Sequence, residues 1–266
     1  MILLFKILSK CFLVIFLTIL TQLGGILYLI TELVITRKTP FYRLKKILVF
    51  VLVYSLTTFF IIPNTAPLLG RIKIKDTPSI TAHTLLTKIC NRDYVTPDTY
   101  KVLTTVAKQL SHKYPSIKLV YLDANFPFID GYPLFPHLSH NDGKKIDLSF
   151  IYKTTNEKLT NKKPGITGYG VFIPPPNNNN QTEYCKKKGY WQYDITRFFS
   201  LGNWNRKLIL SEKATKDLLL LLSNQPMVRK IFIEPHLKQR LRISNTKIRF
   251  HGCQAVRHDD HIHIQL

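Results

Sequence analysis

Five of the nine histidines fall in two short segments, and both segments also carry aspartates. The segments are residues 137–147, HLSHNDGKKID, and residues 258–263, HDDHIH. Imidazole nitrogens and carboxylate oxygens bind zinc, and a catalytic zinc site uses three protein ligands and leaves one position open. His261 and His263 are two residues apart, so both side chains would face the same side of a strand.

Two neighbouring strands would bring these groups together. Asp147 lies at the start of one predicted strand, and His140 precedes it in a loop. His140, Asp147 and one histidine of the His-x-His pair would then form a His2Asp zinc site. Either motif alone is common in proteins without a metal. Their joint occurrence, each beside a further histidine, favours a metal site.

The spacing His-x6-Asp followed by a C-terminal His-x-His resembles the LAS zinc peptidases. These include lysostaphin-type enzymes, D-alanyl-D-alanine peptidases and the hedgehog signalling domain. The chain is most similar to the penicillin-insensitive murein endopeptidases, which have one further histidine three residues before the first ligand and another three residues before the His-x-His pair. His137 and His258 stand at these two positions. The resemblance covers residues 119–266 and is specific at the motifs only.

The resemblance implies that His140, Asp147 and His263 bind zinc and that His261 transfers protons without binding the metal. It also implies a small antiparallel sheet flanked by helices, with the metal in a groove. Zinc lowers the pKa of bound water to about 7 and polarises a peptide carbonyl. A neighbouring histidine can accept the proton and pass it to the leaving amine.

Two residues compete for the role of general base. Related D,D-dipeptidases have an acidic base three residues before the last ligand, and Asp260 holds that position. An odd spacing from His263 would point Asp260 to the other side of a strand, which favours His261 as the base. Asp260 would then orient a histidine. His137 and His258 are expected to bind the oxyanion or to orient the water.

The remaining patterns predict an α+β fold. Thr96-Pro97 is typical of a helix start, and this helix is expected to run to Lys113 with Val102, Val106 and Leu110 on its buried face. A second helix is predicted at residues 211–222. Residues 174–180, PPPNNNN, predict a loop. Strands are predicted at residues 117–122, 146–152, 230–233, 247–250 and 261–266.

The first part of the chain predicts a transmembrane hairpin. Residues 11–35 carry one charge, Glu32, and residues 47–63 carry none, against about 20 apolar residues needed to span a bilayer. A cleaved signal peptide fits poorly because the first run is long and lacks a small-x-small cleavage site. A buried soluble hairpin is the other alternative. The loop between the runs carries Arg37, Lys38, Arg43, Lys45 and Lys46. The positive-inside rule then predicts a cytoplasmic loop with both termini outside.

The charge distribution bears on possible partners. The formal net charge is +22, and the first 63 residues hold seven basic residues and one acidic residue, which leaves +16 for the rest. A basic domain outside the cytoplasm disfavours nucleic acid and favours an anionic wall polymer or lipid head groups. Three cysteines follow the anchor, so one intramolecular disulfide can form among Cys90, Cys185 and Cys253.

The combined expectation is a hydrolase of the bacterial envelope. Residues 1–63 would form two transmembrane helices, residues 64–82 a linker, and residues 83–266 an extracytoplasmic antiparallel-sheet zinc peptidase domain with flanking helices. The domain would cleave stem or cross-link peptides of peptidoglycan from the periplasmic side of the inner membrane, as a murein endopeptidase. The alternatives are a D,D-carboxypeptidase or dipeptidase, a non-catalytic zinc-binding domain, and a metal-free basic binder of lipid or nucleic acid.

Overall fold

The computed structural model describes residues 2–36, 38, 40–135, 137–175, 180–199 and 201–266. Arg37 and residues 176–179, which belong to two of the predicted loops, lie outside the described residues. The α-helices are α1 (Ile2–Thr21), α2 (Gly24–Val34), α3 (Tyr42–Leu56), α4 (Ile62–Thr65), α5 (Leu85–Ile89), α6 (Pro97–Lys113), α7 (Gln181–Lys187), α8 (Glu212–Ser223) and α9 (Pro235–Arg240). A π-helix spans Thr57–Ile61, and 3-10 helices span Ala66–Leu69 and Trp191–Phe199.

The strands are short, and each predicted strand overlaps an observed one. They are β1 (Ile72–Lys73), β2 (Ile80–Ala82), β3 (Tyr94–Val95), β4 (Leu119–Asp123), β5 (Lys145–Ser149), β6 (Tyr152–Lys153), β7 (Leu159–Thr160), β8 (Ile209–Leu210), β9 (Lys230–Phe232), β10 (Ile248–Arg249) and β11 (His261–Gln265).

The main sheet has six strands in the order β10-β9-β11-β5-β4-β2. Strands β9, β11, β5 and β4 pair antiparallel with their neighbours, whereas β10 joins β9 and β2 joins β4 in parallel. The α+β class is confirmed in this form. The prediction of an antiparallel sheet is correct for the centre and wrong at the edges, where the short strands β2 and β10 give no signal of direction in the sequence.

Helices α6 and α8 pack against one face of this sheet. Thr96 caps α6 by accepting a hydrogen bond from Thr99 N, and Pro97 occupies the first turn. The predicted buried face of α6 is confirmed, since Val102, Val106 and Leu110 are all at most 3% exposed. Each such buried side chain stabilises the fold by about 1.5–3 kcal/mol.

The two central strands divide their side chains between the core and the opposite face. Ile146 and Leu148 of β5 belong to the hydrophobic core, as do Ile262 and Ile264 of β11. Because side chains alternate along a strand, Asp147 lies on the other face of the sheet. The histidines of β11 alternate with the isoleucines in the same way. The apolar core therefore fixes the direction in which the polar groups point.

The first apolar run is not one helix, so the prediction of a single span over residues 11–35 is wrong. The chain turns back between α1 and α2 at Gln22, which has a φ of 69°. A Cβ atom at Gly25 would lie 2.0 Å from Thr18 Oγ1 and 2.5 Å from Val14 O. Glycine at this position therefore permits α2 to pack directly on α1. Hydropathy alone cannot reveal such a turn, because both helices are equally apolar.

The helices are also arranged differently from the predicted two-span hairpin, while the side of a membrane that each terminus faces stays a prediction. Glu32 of α2 forms ion pairs with both Lys10 of α1 and Lys46 of α3. The amino-terminal half of α1 therefore lies beside the start of α3, instead of on the opposite side from the basic loop. Two helical segments, Leu3–Thr21 and Tyr42–Leu69, are long and apolar enough to cross a membrane.

Residues 64–82, predicted as a linker, contribute to the folded domain. They include β1 and β2, and Ala66, Ile74 and Ile80 are at most 2% exposed. These strands are too short to produce a recognisable period in the sequence.

The end of α1 also contacts the domain. Asn91 Nδ2 donates a hydrogen bond to Thr21 O over 3.3 Å, and Tyr132 OH donates to Thr18 O over 2.8 Å. The backbone N of Phe128 donates to Gln22 Oε1 over 3.2 Å. The amino-terminal helices therefore pack against the domain at this end of α1.

A disulfide joins Cys185 of α7 to Cys253. Among the three candidate cysteines, this leaves Cys90 as a buried free thiol. The bond links α7 to the segment before β11, and so ties a peripheral helix to the strand that carries the histidines.

Candidate metal centre

Three predicted ligands converge at the centre of the sheet. His140 Nε2 lies 3.2 Å from Asp147 Oδ1 and 3.2 Å from His263 Nδ1. His263 Nδ1 lies 2.8 Å from Asp147 Oδ1. All three residues are buried and form a cluster that could hold a metal ion.

The register of the sheet brings two of these ligands together. In the antiparallel pair β5–β11, Asp147 is directly opposite His263. Directly opposed residues on one face have Cβ atoms about 4.5–5.5 Å apart, which is within reach of a shared ion. Register is strongly specified when one face is buried, because a slip by one residue would turn the isoleucines of β11 out of the core.

His140 reaches the centre from the loop between β4 and β5. Its Nδ1 donates a hydrogen bond to Ala124 O over 2.8 Å, so in the neutral ring the lone pair of Nε2 points to the other ligands. Burial would lower the pKa of His140, but without an ion the charge of Asp147 outweighs burial and raises it. Asn125 holds the far end of the loop, accepting from Gly143 N and donating to Lys145 O. Gly143 has a φ of 75°, and a Cβ there would lie 2.7 Å from the Arg71 guanidinium.

The donor set and its spacing fit a tetrahedral zinc ion. Ligand atoms about 2.0–2.1 Å from zinc stand about 3.3 Å apart in a tetrahedron. The three ligand separations, 2.8–3.2 Å, are close to this value. Burial lowers the pKa of His263 to about 4, so its ring is neutral and able to bind a cation. Burial alone would raise the pKa of Asp147, but His140, His261 and His137 hold it well below its usual range.

His261 and Asp260 form a pair beside these ligands. His261 Nδ1 is hydrogen-bonded to Asp260 Oδ1, and the other Asp260 oxygen accepts from Gly170 N over 2.6 Å. His261 Nε2 lies 3.7 Å from Asp147 Oδ1 and thus faces the centre. Burial would lower the pKa of His261, but the carboxylates of Asp147 and Asp260 outweigh it and raise the pKa to about 9. Asp260 is therefore placed to orient His261.

His137 lies on the opposite side of Asp147. Its Nδ1 is 3.2 Å from Asp147 Oδ2 and 3.3 Å from Asp123 Oδ2, so this nitrogen donates between two carboxylates. In a neutral ring the other nitrogen, Nε2, is then an acceptor. Among the described residues, His137 Nε2 has no hydrogen-bond partner although it is buried.

Asp123 and Arg92 extend this cluster. Neither residue was predicted from the sequence. Asp123 is directly opposite Asp147 in the β4–β5 pair, and Arg92 Nε donates to its Oδ1 over 2.9 Å. Burial would raise the pKa of Asp123, but Arg92 and His137 hold it below its usual value. Asp123 could have been found in the sequence by its position, because it directly follows the predicted strand at residues 117–122.

Tyr169 is a further residue of the cluster that was not predicted from the sequence. Its hydroxyl donates to Asp147 Oδ2 over 2.9 Å, and its ring centroid lies 4.6 Å from His137 and 5.0 Å from His261. Burial and the nearby Asp147 raise the pKa of Tyr169, so the hydroxyl stays protonated and donates. Residues 165–170, GITGYG, contain three glycines, and this pattern could have indicated that the backbone there passes close to another part of the protein.

His258 lies on the third side of the cluster. Its ring centroid is 4.9 Å from His261 and 5.6 Å from His263. Burial, followed by the charge of His261, lowers the pKa of His258 well below its usual value. The exposed His251, which the sequence analysis missed, lies 5.6 Å from His258 between centroids. The structure thus brings all seven predicted site residues into one cluster.

No model of a known protein family and no curated protein matches the chain. The resemblance to the LAS zinc peptidases therefore stays a prediction from the motifs.

Proposed function

We propose that the protein is a membrane-anchored zinc metallopeptidase of the LAS type, which hydrolyses stem or cross-link peptides of peptidoglycan as a murein endopeptidase. The observation that carries this proposal is the convergence of His140 Nε2, Asp147 Oδ1 and His263 Nδ1 beside His261. Two histidines and one carboxylate form a common ligand set of catalytic zinc sites with an open position.

Zinc held by these residues supplies Lewis acidity, which activates water and polarises a carbonyl group. Hydrolysis of a peptide bond adds the hydroxyl of water to the carbonyl carbon and returns a proton to the amine nitrogen. Without the ion, Asp147 and Asp260 keep His261 protonated, because they raise its pKa to about 9. A zinc ion at the three ligands would add positive charge beside the ring and lower this pKa, so that neutral His261 could accept and return the proton at Nε2 while Nδ1 stays engaged with Asp260. Such general base catalysis contributes about 10²–10⁴-fold to a rate.

The other residues of the cluster orient water and substrate. Neutral His137 can accept a hydrogen bond from water or from a substrate N–H at Nε2, and only its protonated form could donate to an oxyanion. Tyr169 OH is the donor on the same side, at 2.9 Å from Asp147 Oδ2. This bond uses the single proton of the hydroxyl, so Tyr169 could stabilise the negative charge that develops on the carbonyl oxygen only after its hydroxyl turns away from Asp147.

Three features support a location at the inner membrane of bacteria with the domain outside the cytoplasm. Two helical segments are long enough to span a membrane. Lys10, at the amino-terminal half of α1, lies with Lys46 at one end of the anchor, and the positive-inside rule puts that end in the cytoplasm. The Cys185–Cys253 disulfide is typical of an oxidising compartment. A domain charge of +16 suits an anionic wall polymer.

The test is zinc content and cleavage by the full chain in detergent. Wild-type protein is expected to contain about one zinc ion per chain by elemental analysis. His140→Ala should lose both the zinc and the cleavage of cross-linked stem peptides. His112→Ala, which changes an exposed histidine of α6, is the matched control and should retain both. Zinc and full activity in His140→Ala would overturn the proposal.

A further inference from the structure

A cavity of about 260 Å³ lies between the metal centre and the helical anchor. Its walls are mainly apolar and include Leu20 of α1, Leu86 of α5 and Leu122 of β4. Its polar end is formed by His137 and Tyr169, which also contact the ligand Asp147. An apolar cavity of about 150 Å³ already holds a ligand of benzene size.

The rim of this cavity is apolar and exposed. Leu86 is 61% exposed and Leu201 is 66% exposed, and both line the cavity. Tyr54 of the second apolar segment donates to Ile89 O over 2.6 Å, which fixes α5 beside this segment. An exposed apolar patch next to a membrane-spanning helix is typical of a surface that contacts lipid.

An aromatic side chain lies at the same rim. Trp204 is 74% exposed, and its Nε1 donates to Leu201 O over 3.3 Å. Tryptophan is enriched at the boundary between membrane and water. The rim therefore has the composition expected at the bilayer surface, and Leu20 continues the apolar wall from the spanning helix.

At the polar end of the cavity, one buried side-chain nitrogen has no hydrogen-bond partner among the described residues. His137 is 7% exposed, lines the cavity, and has no partner for Nε2 among the described residues. Burying a polar nitrogen without a hydrogen bond is unfavourable. A ligand that fills the cavity and places a hydrogen-bonding group at this end would satisfy the nitrogen. The cavity thus calls for an amphiphile, apolar towards Leu20 and polar towards the metal centre.

We propose that the cavity receives the hydrocarbon chain of a substrate embedded in the bilayer, so that the site acts on peptides still joined to a lipid. This inference rests on the proposed function and specifies its substrate class. The chain enters between Leu86 and Leu201 and lies against Leu20. A polar group of the substrate adjoining the chain pairs with His137 Nε2, and the peptide continues to the metal centre.

The test compares two substrates with the full chain in lipid nanodiscs and zinc. Both are the same cross-linked stem peptide, one free and one carrying a tetradecyl chain. The chain should raise kcat/KM by about tenfold or more, a factor that two buried methylene groups supply. Leu20→Trp should fill the cavity and bring the ratio of the two kcat/KM values close to one. Ile19→Trp changes the next residue, which does not line the cavity, and should keep the wild-type ratio.

A second measurement does not depend on turnover or on a variant that folds. Nanodiscs with a phospholipid that carries a diazirine on one acyl chain are irradiated, and the labelled peptides are identified by mass. Labelling of residues 84–92 is expected in the wild type and in Ile19→Trp and should be lost in Leu20→Trp. Equal kcat/KM for both substrates without such labelling would overturn the inference and leave the proposed function standing. Cleavage of neither substrate would overturn the proposed function and the inference with it.

Discussion

Replacing Asp147 by asparagine is expected to remove most of the stability that zinc gives to the folded protein. The change keeps the shape of the side chain but removes the charge on the oxygen that lies 2.8 Å from His263 Nδ1 and 3.2 Å from His140 Nε2. Tyr169 donates to the other oxygen, Oδ2, and can still do so when the amide oxygen of the asparagine takes that side and the amide nitrogen faces the two histidines. The substitution therefore weakens metal binding without opening a cavity.

The magnitude follows from the number of ligands. Structural zinc bound by four ligands contributes about 10–16 kcal/mol, so one ligand is worth roughly 3 kcal/mol, or about 150-fold in Kd. At free zinc of about 100 times the wild-type Kd, the wild type gains about 2.7 kcal/mol. At the same zinc concentration Asp147→Asn gains only about 0.3 kcal/mol.

The assay is thermal unfolding of the full chain in detergent, with and without zinc. One kcal/mol corresponds to about 2–4 °C for a domain of this size, so zinc should raise the wild-type Tm by about 5–11 °C and that of Asp147→Asn by about 1 °C. The control is Asp142→Asn, in the loop that precedes β5. Its carboxylate pairs with Lys145 at 2.5 Å, outside the centre, so the full zinc-dependent shift should remain. An unchanged shift in Asp147→Asn would refute the ligand assignment.

Three other outcomes are expected. His261→Ala should keep the zinc-dependent Tm shift and lower kcat at least about 100-fold in a peptide cleavage assay. Burial raises the pKa of Asp93 to about 7, so the group is protonated in the folded state while the unfolded state, near 3.8, loses its proton. Stability should therefore fall by up to about 1.4 kcal/mol per unit as the pH rises from 4 to 7, and Asp93→Asn should remove this part of the pH dependence in denaturant titrations. Cys185→Ser should break the bond to Cys253 and lower the free energy of unfolding by about 2–4 kcal/mol.

Each of these three predictions would be contradicted by a specific result. A normal kcat in His261→Ala would move the base to Asp260. Identical pH profiles for wild type and Asp93→Asn would mean that the carboxyl group is ionised in the folded state. A Cys185→Ser variant as stable as the oxidised wild type would show that the disulfide does not hold α7 in place, and reduced wild-type protein is the matched control.

Local sequence patterns were sufficient for the elements that carry the ligands. Alternation in β5 and β11 fixed which residues face the core, and this in turn set the direction of Asp147 and His263. The cap at Thr96 and the period of α6 gave that helix its observed bounds. These features depend on near neighbours in the chain, which is why the sequence reveals them.

Features that depend on contacts between distant segments were not predicted. The turn at Gln22 depends on the packing of α2 against α1, and only Gly24-Gly25 hints at it in the sequence. Tyr169 reaches Asp147 from a loop 22 residues further along the chain. Asp123 joins the cluster through the β4–β5 register, which hydropathy does not encode.

The most direct test of the proposed activity is the digestion of purified peptidoglycan sacculi by the zinc-loaded full chain in detergent. The products are separated by chromatography and identified by mass. Splitting of dimeric muropeptides into monomers, abolished by a zinc chelator and restored by added zinc, is the predicted result. Release of single D-alanine without loss of dimers would instead indicate a carboxypeptidase. Sacculi left intact by a protein that holds its zinc would contradict the account of this centre as a peptidoglycan hydrolase.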